Sequence, residues 1–312
     1  MAKAKMKHDK FSPLTVFMLI ILCVYVAVLC FMLLWAAMQI FKHPLDYMKN
    51  PIWLPSTKNG QRGWTLANFS ALISYSQTNW MSSSTTKTYA GFAEIILNTL
   101  IYSVGGSLVN ASVMCLMAYL AARYKYFYSK IIYMIVIVVM VIPVVGSQAS
   151  EIEVLKTLNL YDTRFGFVIL KAGFVGMYFL VFYETFRNIP ETYSEAAMMD
   201  GASDARIMLG IYFPLVINVF LTITLITFIQ FWNDYQMAMM YMPSYPTLAY
   251  FLFAVQRASH KINVIGEKYK IGLDRPPIKM TATVVLMTPI LIIFIALHER
   301  LMGNLSIGGI KG

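Results

Sequence analysis

The chain is 312 residues long; 58% are hydrophobic, only 13% are charged, and the formal net charge is +10. Soluble domains carry about 25% charged residues, so a single water-soluble core cannot hide this much apolar surface, whereas a bilayer can. The positive balance does not point to nucleic acid. The basic residues are scattered in short loops between apolar runs, with no basic patch interleaved with aromatics, and anionic lipid headgroups account for them more simply.

At the N-terminus Lys3, Lys5, Lys7 and Lys10 precede a charge-free run from residue 11 to 41. A secretory h-region is only about 7–15 residues, so this run reads as an uncleaved first span behind a short cytoplasmic tail, 1–10. A transmembrane helix needs about 20 mainly apolar residues. Stretches poor in charge then place spans at 14–38, 96–121, 131–149, 165–186, 210–233 and 281–298. The expected fold is an all-α integral membrane protein with six transmembrane helices, one domain over 1–312. The second span holds Gly105, Gly106, Ser107, Ala111, Ser112, Ala118 and Ala121, small residues that let helix backbones approach closely. The fourth contains Lys171 and Glu184. Both read as boundary residues whose charges snorkel to water; a functional role is the alternative.

Six spans put the long connectors, 42–94 and 236–279, on the extracytoplasmic side. Both termini and the loop 188–213 then face the cytoplasm. The raw Lys and Arg count does not decide this orientation; charge density in the shorter loops and the four N-terminal lysines do. Cys23, Cys30 and Cys115 lie in apolar runs and form no CxxC pair, so neither a disulfide framework nor a zinc site is indicated. The four histidines show no ligand spacing. Met237, Met239, Met240 and Met242 read as packing, since methionine fills irregular gaps. No paired carboxylates, histidine cluster or nucleophile constellation falls within the spans, which argues against a membrane-embedded enzyme.

The loop 188–213 has its own local logic. Pro190 stops one helix; Thr192 or Ser194 can cap the next, and Glu191 and Glu195 suit its N-terminal dipole. Gly201 can adopt the left-handed conformation that ends it. Ser203 or Asp204 can cap a second helix running toward Pro214. The product is a short helix–turn–helix, a rigid knob able to fit a groove on a partner.

Here the sequence resembles a known family. Permease subunits of ATP-driven (ABC-type) importers carry Glu-Ala-Ala, three residues, Gly, nine residues, then Ile-x-Leu-Pro. This chain has Glu195-Ala196-Ala197, Gly201, Ile211 and Pro214 in that spacing, with Phe213 where the family has Leu. Trp64 through Phe69, Asn98-Thr99-Leu100, Trp232-Asn233-Asp234 and the tail Gly303 through Gly312 resemble segments of carbohydrate-uptake permeases, in particular the smaller six-span permease of the maltose-transporter type. The resemblance implies that Glu195, Ala196, Ala197, Asp200, Gly201, Ile211 and Pro214 form a coupling helix seated on a cytoplasmic ATPase. It implies four partners besides lipid: two ATPase copies, a second permease and an extracytoplasmic solute-binding protein. The chain has no GxxxxGK[ST] phosphate loop, so no cofactor is expected on it, and ATP and Mg belong to the partner ATPases. Gln230, Trp232, Asn233 and Asp234 are substrate-pathway candidates: an aromatic face suits a sugar ring and Asn or Asp its hydroxyls. The alternative is an interfacial Trp anchor beside a polar helix end. Gly201 reads as a docking requirement or a plain helix terminator, and Glu195 as an ATPase contact or a partner for the dipole.

Overall fold

The computed structural model describes residues 13–55, 63–77, 91–124, 126–142, 146–258, 261–262 and 271–305. Contacts divide the chain into two compact units, residues 1–74 with 258–285, and residues 75–257 with 286–312.

In the first unit, α1 (Pro13–Ile40) is apolar on every side, and only Gln39 and Ile40 are buried. At 1.5 Å per residue it exceeds the roughly 30 Å of bilayer hydrocarbon. Its end is tied into a polar knot. The Asn68 side-chain amide donates to the carbonyls of Ile40 at 2.7 Å and Lys42 at 2.9 Å. Lys42, fully buried, donates to the carbonyls of Asn50 and Trp53 and stands 4.0 Å from Asp46. The short helix α2 (Pro44–Lys49) is capped by His43, whose Nδ1 accepts from the Leu45 amide at 3.2 Å. The helix α3 (Ala67–Ser76) follows. A two-residue antiparallel pair joins β1 (Lys261–Ile262) to β2 (Ile271–Gly272), a small departure from the all-α expectation.

The second unit holds α4 (Phe92–Arg123), α5 (Phe127–Val141), α6 (Gln148–Thr157), α7 (Arg164–Leu170), α8 (Met177–Arg187), α9 (Thr192–Met199), α10 (Asp204–Trp232), α11 (Tyr235–Tyr241) and α12 (Leu248–Arg257). The final helix, α13 (Pro276–Leu305), begins in the first unit and ends in this one. The small residues Ala111, Cys115, Ala118 and Ala121 of α4 are buried among Phe179, Phe182 and Phe186 of α8 and Val216 and Phe220 of α10. Small-against-aromatic packing brings the helices together where no hydrophobic effect drives them. Two wider π turns interrupt the long helices, Ile101–Gly105 in α4 and Met208–Tyr212 in α10. The second has a clear cause. Pro214 cannot donate a backbone bond, and its ring would strike the carbonyl one turn earlier; a wider turn accommodates both.

Among the described residues four helices are long and apolar enough to cross a membrane: α1, α4, α10 and the first part of α13. The other two expected spans are corrected. The third, expected over 131–149, is the shorter α5 ending at Val141. Ile142 is extended (φ −86°, ψ 113°), as a residue before proline prefers; Pro143 itself lies outside the described residues. The fourth, expected over 165–186, is not one helix. It breaks at 171–176 between α7 and α8, at Gly173 and Gly176, which are poor helix formers. The carbonyls freed there are recovered by the Asn110 amide, 2.9 Å from Lys171 O and 3.3 Å from Gly173 O.

The Asn68 knot is open to test. Asn68→Ala removes two buried bonds and leaves two carbonyls without that donor, a loss of about 2 kcal/mol or more. We expect a lower melting temperature for the detergent-solubilised variant.

Candidate functional site

The first site is the exposed knob. After α8 the chain passes Pro190 and enters α9, whose N-terminus carries no side-chain cap: the Ser194 hydroxyl donates to the Glu191 carbonyl instead. This corrects the expectation of a Thr192 or Ser194 cap. The helix ends as expected. Gly201 has φ +78°, its amide donates to Met198 O at 3.0 Å, and the Ala202 amide reaches back to Ala197 O at 3.0 Å. This is the Schellman arrangement, which needs a left-handed residue. A Cβ on Gly201 would meet nothing within 4 Å, so only the backbone conformation selects glycine. Ser203 and Asp204 start α10 directly, without a side-chain cap from Ser203. The second helix of the expected helix–turn–helix is therefore the first turn of a 29-residue helix, not a separate element.

Glu195, Ala196 and Asp200 are exposed, while Ala197 and Ile211 are half-buried against the core. Tyr193, Met198 and Met199 are exposed at 52%, 56% and 91%, an apolar tip on the knob. Phe213 packs edge-on against Phe220, ring centroids 5.3 Å apart, so the bulkier ring is used within the core. Pro214 is exposed on the first turn after the π turn.

Arg123, the last residue of α4, clamps the knob's base. Its guanidinium donates to the Ile189 carbonyl at 3.0 Å, the Pro190 carbonyl at 3.3 Å and the Tyr212 hydroxyl, and lies 4.3 Å from the Tyr212 ring centre. Beside it is a cavity of about 400 Å³ lined by Tyr124, Glu191, Glu195 and Asp204 among others. Burial and the neighbouring Asp204 carboxylate raise the Tyr124 hydroxyl pKa, keeping it a proton donor.

The second site lies at the far ends of α4 and α10. Lys171 closes α7, and its ammonium is 3.8 Å from Asp234 Oδ2. It lies 4.9 Å from the Phe231 ring centre and 5.5 Å from that of Tyr102. The Tyr102 hydroxyl donates to Asp234 Oδ2 at 2.8 Å, and Asp234 Oδ1 caps α11 by accepting from the Met237 amide at 3.0 Å. Nearby, Tyr241 donates to Glu151 at 2.6 Å. Lys171 is thus an interior cation and not the boundary residue expected, whereas Glu184 pairs with Arg187 at 3.5 Å on an exposed face.

The four pathway candidates separate. Gln230 and Asn233 are exposed; the Gln230 amide is 3.3 Å from the Tyr178 hydroxyl, and Asn233 donates to Ile229 O at 2.9 Å. Asp234 is half-buried in the charge cluster. Trp232 is 2% exposed and donates its indole N–H to Leu286 O at 2.9 Å, so its ring has no free face for stacking in this structure. Met237, Met240 and Met242 belong to or pack on the core around Tyr102 and Tyr241. Sequence reasoning missed Tyr102, Glu151 and the pairing of Lys171. The available signal was a lysine set beside two glycines inside an apolar run.

The fold defines a multi-pass α-helical membrane protein, and helices broken around buried polar groups are a transport architecture. Residues 114–305 match the family of binding-protein-dependent transport system inner membrane components, and the chain belongs to that family. It is a membrane transport subunit and not an enzyme. The chain is 25% identical over 232 residues to the polygalacturonan/rhamnogalacturonan transport system permease protein of Bacillus subtilis, covering 72% of this chain and 80% of that one. It is 23% identical over 312 residues to the diacetylchitobiose uptake system permease protein of Streptomyces coelicolor, covering 99% and 92%. Its fold is similar to a chain in the crystal structure of a bacterial ABC transporter involved in the import of the acidic polysaccharide alginate. That likeness has TM-score 0.68 and 18% identity and covers 93% of this chain and 99% of the other.

Removing the Arg123 clamp should loosen the knob. Arg123→Leu forfeits charge-assisted bonds worth about 2 kcal/mol locally, and proteolysis within 188–203 should accelerate about thirtyfold where cleavage tracks the open population. Arg123→Lys, which keeps the charge but lacks the rigid planar fork and its five donors, should fall between Leu and wild type.

Proposed function

We propose that this chain is one of two permease subunits of an ATP-driven importer for an oligosaccharide or other sugar. In this reading it crosses the membrane six times: through α1, α4, α5, the broken pair α7 and α8, α10 and α13. Both termini and the knob face the cytoplasm, and the connectors 42–94 and 236–279 face the solute-binding protein. The knob docks in a cleft of one of two ATPase copies, which carry the ATP and Mg; this chain binds neither. Gln230 and Asn233 line the path.

The observation that carries the reading is the geometry of the Glu195-Ala196-Ala197 helix. It is short, exposed and tipped with Tyr193, Met198 and Met199, and it is stopped by Gly201 in a left-handed turn. An exposed apolar patch on a rigid element is a protein docking surface. Because it is built on the end of α10, a push on the knob reaches the path through one helix. The sugar assignment is supported by the relatives for polygalacturonan/rhamnogalacturonan transport and for diacetylchitobiose uptake.

The test compares two side chains of nearly one shape at Gly201. Asn and Asp both tolerate the left-handed region, and there is open space for either. Gly201→Asn should reach the membrane and keep its ATPase on affinity purification. Gly201→Asp, which adds a charge to the docking face, should reach the membrane but lose the ATPase and at least about tenfold of uptake, equivalent to 1.4 kcal/mol. Full ATPase retention by Gly201→Asp would overturn the docking role. Wild-type uptake that survives ATP depletion but stops with an uncoupler would overturn the importer reading itself.

A further inference from the structure

Two interruptions of helix meet in the second unit. One is residues 171–176 between α7 and α8; the other is Asn233–Asp234 between α10 and α11. Each has its own local support. Asn110 satisfies the carbonyls freed at the first, and the Asp234 side chain caps α11 at the second. Neither bond holds one interruption against the other. The Tyr102 ring, stacked between Phe167 of α7 and Phe231 of α10 at 4.2 and 5.5 Å, brings them together, and charge ties them directly: Lys171 closes α7, Asp234 opens α11, and their ion pair spans 3.8 Å with 13% and 20% of the two side chains exposed.

Asp234 is fixed from three directions, by Lys171, by the Tyr102 hydroxyl at 2.8 Å and by the Met237 amide at 3.0 Å. Asn233 precedes it directly, and Gln230 lies one turn earlier; both are exposed. The orientation of that last turn of α10 is therefore set by where Asp234 is anchored. A pair this largely shielded from water adds little net stability over an apolar pair of the same shape, but it can fix register.

We propose that Lys171 and Asp234 are positioning residues of the transport path: their ion pair locks the two interruptions together and so presents Asn233 and Gln230 to water. The inference rests on the permease reading above.

The test needs no knowledge of the substrate. In native membranes containing the whole transporter, Cys23 and Cys30 are replaced by Ser and Asn233→Cys is introduced as the reporter. Native Cys115, 3% exposed in the helical core, is kept as a sentinel for bundle loosening. The probe is a water-soluble maleimide, which reacts with thiolate reached by water. Lys171→Met, which leaves Asp234 buried without its cation, should slow labelling of the reporter about tenfold. Asp234→Asn should do the same, although Asn keeps the helix cap. Lys171→Arg should stay within about threefold of the parent, since the charge is retained. Cys115 should remain unlabelled throughout. An unchanged reporter rate in Lys171→Met and Asp234→Asn overturns the proposal. So does labelling of Cys115 in the same variants, because the pair would then merely hold the bundle together. Failure of the reporter to label in the parent until detergent is added is a different result: it shows that Asn233 does not face water, which removes the path assignment and the proposal with it.

Discussion

An apolar solvent offers no hydrogen bond to an unpaired backbone carbonyl or amide, and the irregular features of this chain follow from that constraint. At three breaks in the helical ladder a side chain takes the freed carbonyls. Asn110 takes the carbonyls of the 171–176 break, and Arg123 takes those of Ile189 and Pro190. Asn68 takes those at the end of α1. The Trp232 indole reaches Leu286 O, in the part of α13 that approaches Pro289. The polar residues of the spans are therefore explained first as backbone partners, and only those left over are candidates for solute contact.

The same constraint governs charge. A lone cation within hydrocarbon is costly and persists when paired or carried to an interface. Lys171 and Arg123 illustrate the two solutions. Lys171 stays inside, over the Tyr102 and Phe231 rings and beside a carboxylate. Arg123 sits at the last residue of α4 and spends its donors on carbonyls and a tyrosine. In both, an aromatic face covers the cation, so two tyrosines, Tyr102 and Tyr212, each act as ring and as hydroxyl.

Much of this was legible in the sequence, and the reason is local. Long charge-free runs mark α1, α4 and α10 because each needs only its own composition to cross a bilayer. The left-handed turn at Gly201 was legible because the Schellman arrangement is closed within six residues. The break at 171–176 was not, because an apolar run containing glycines reads equally as one span or two; whether the ladder breaks depends on Asn110, on another helix, being present to receive the carbonyls. The partner of Lys171 lies in a different helix junction, and the partner of Asp234 on α4. No spacing rule reaches such distances. Trp232 was misleading for the same reason: an aromatic beside Asn and Asp suits a sugar, but the indole is turned into the core by a carbonyl on α13 that the local sequence does not reveal.

The arrangement of ties has a mechanical consequence. The helices α4 and α10 are joined near one end by Arg123 and Tyr212, and near the other by Tyr102 and Asp234, which follows the last turn of α10. The two ties are about 30 Å apart along α4 at 1.5 Å per residue. Between them the helices are packed through small residues and phenylalanines, an interior too dense to absorb strain gradually. Two rods cross-tied at both ends translate together or not at all, unless a tie opens or a helix yields. The two π turns fall at these same ends: Ile101–Gly105 contains Tyr102 of one tie, and Met208–Tyr212 contains Tyr212 of the other. Irregular backbone thus falls at the two ends, where the knob and the broken-helix cluster lie, and regular, packed helix fills the length between.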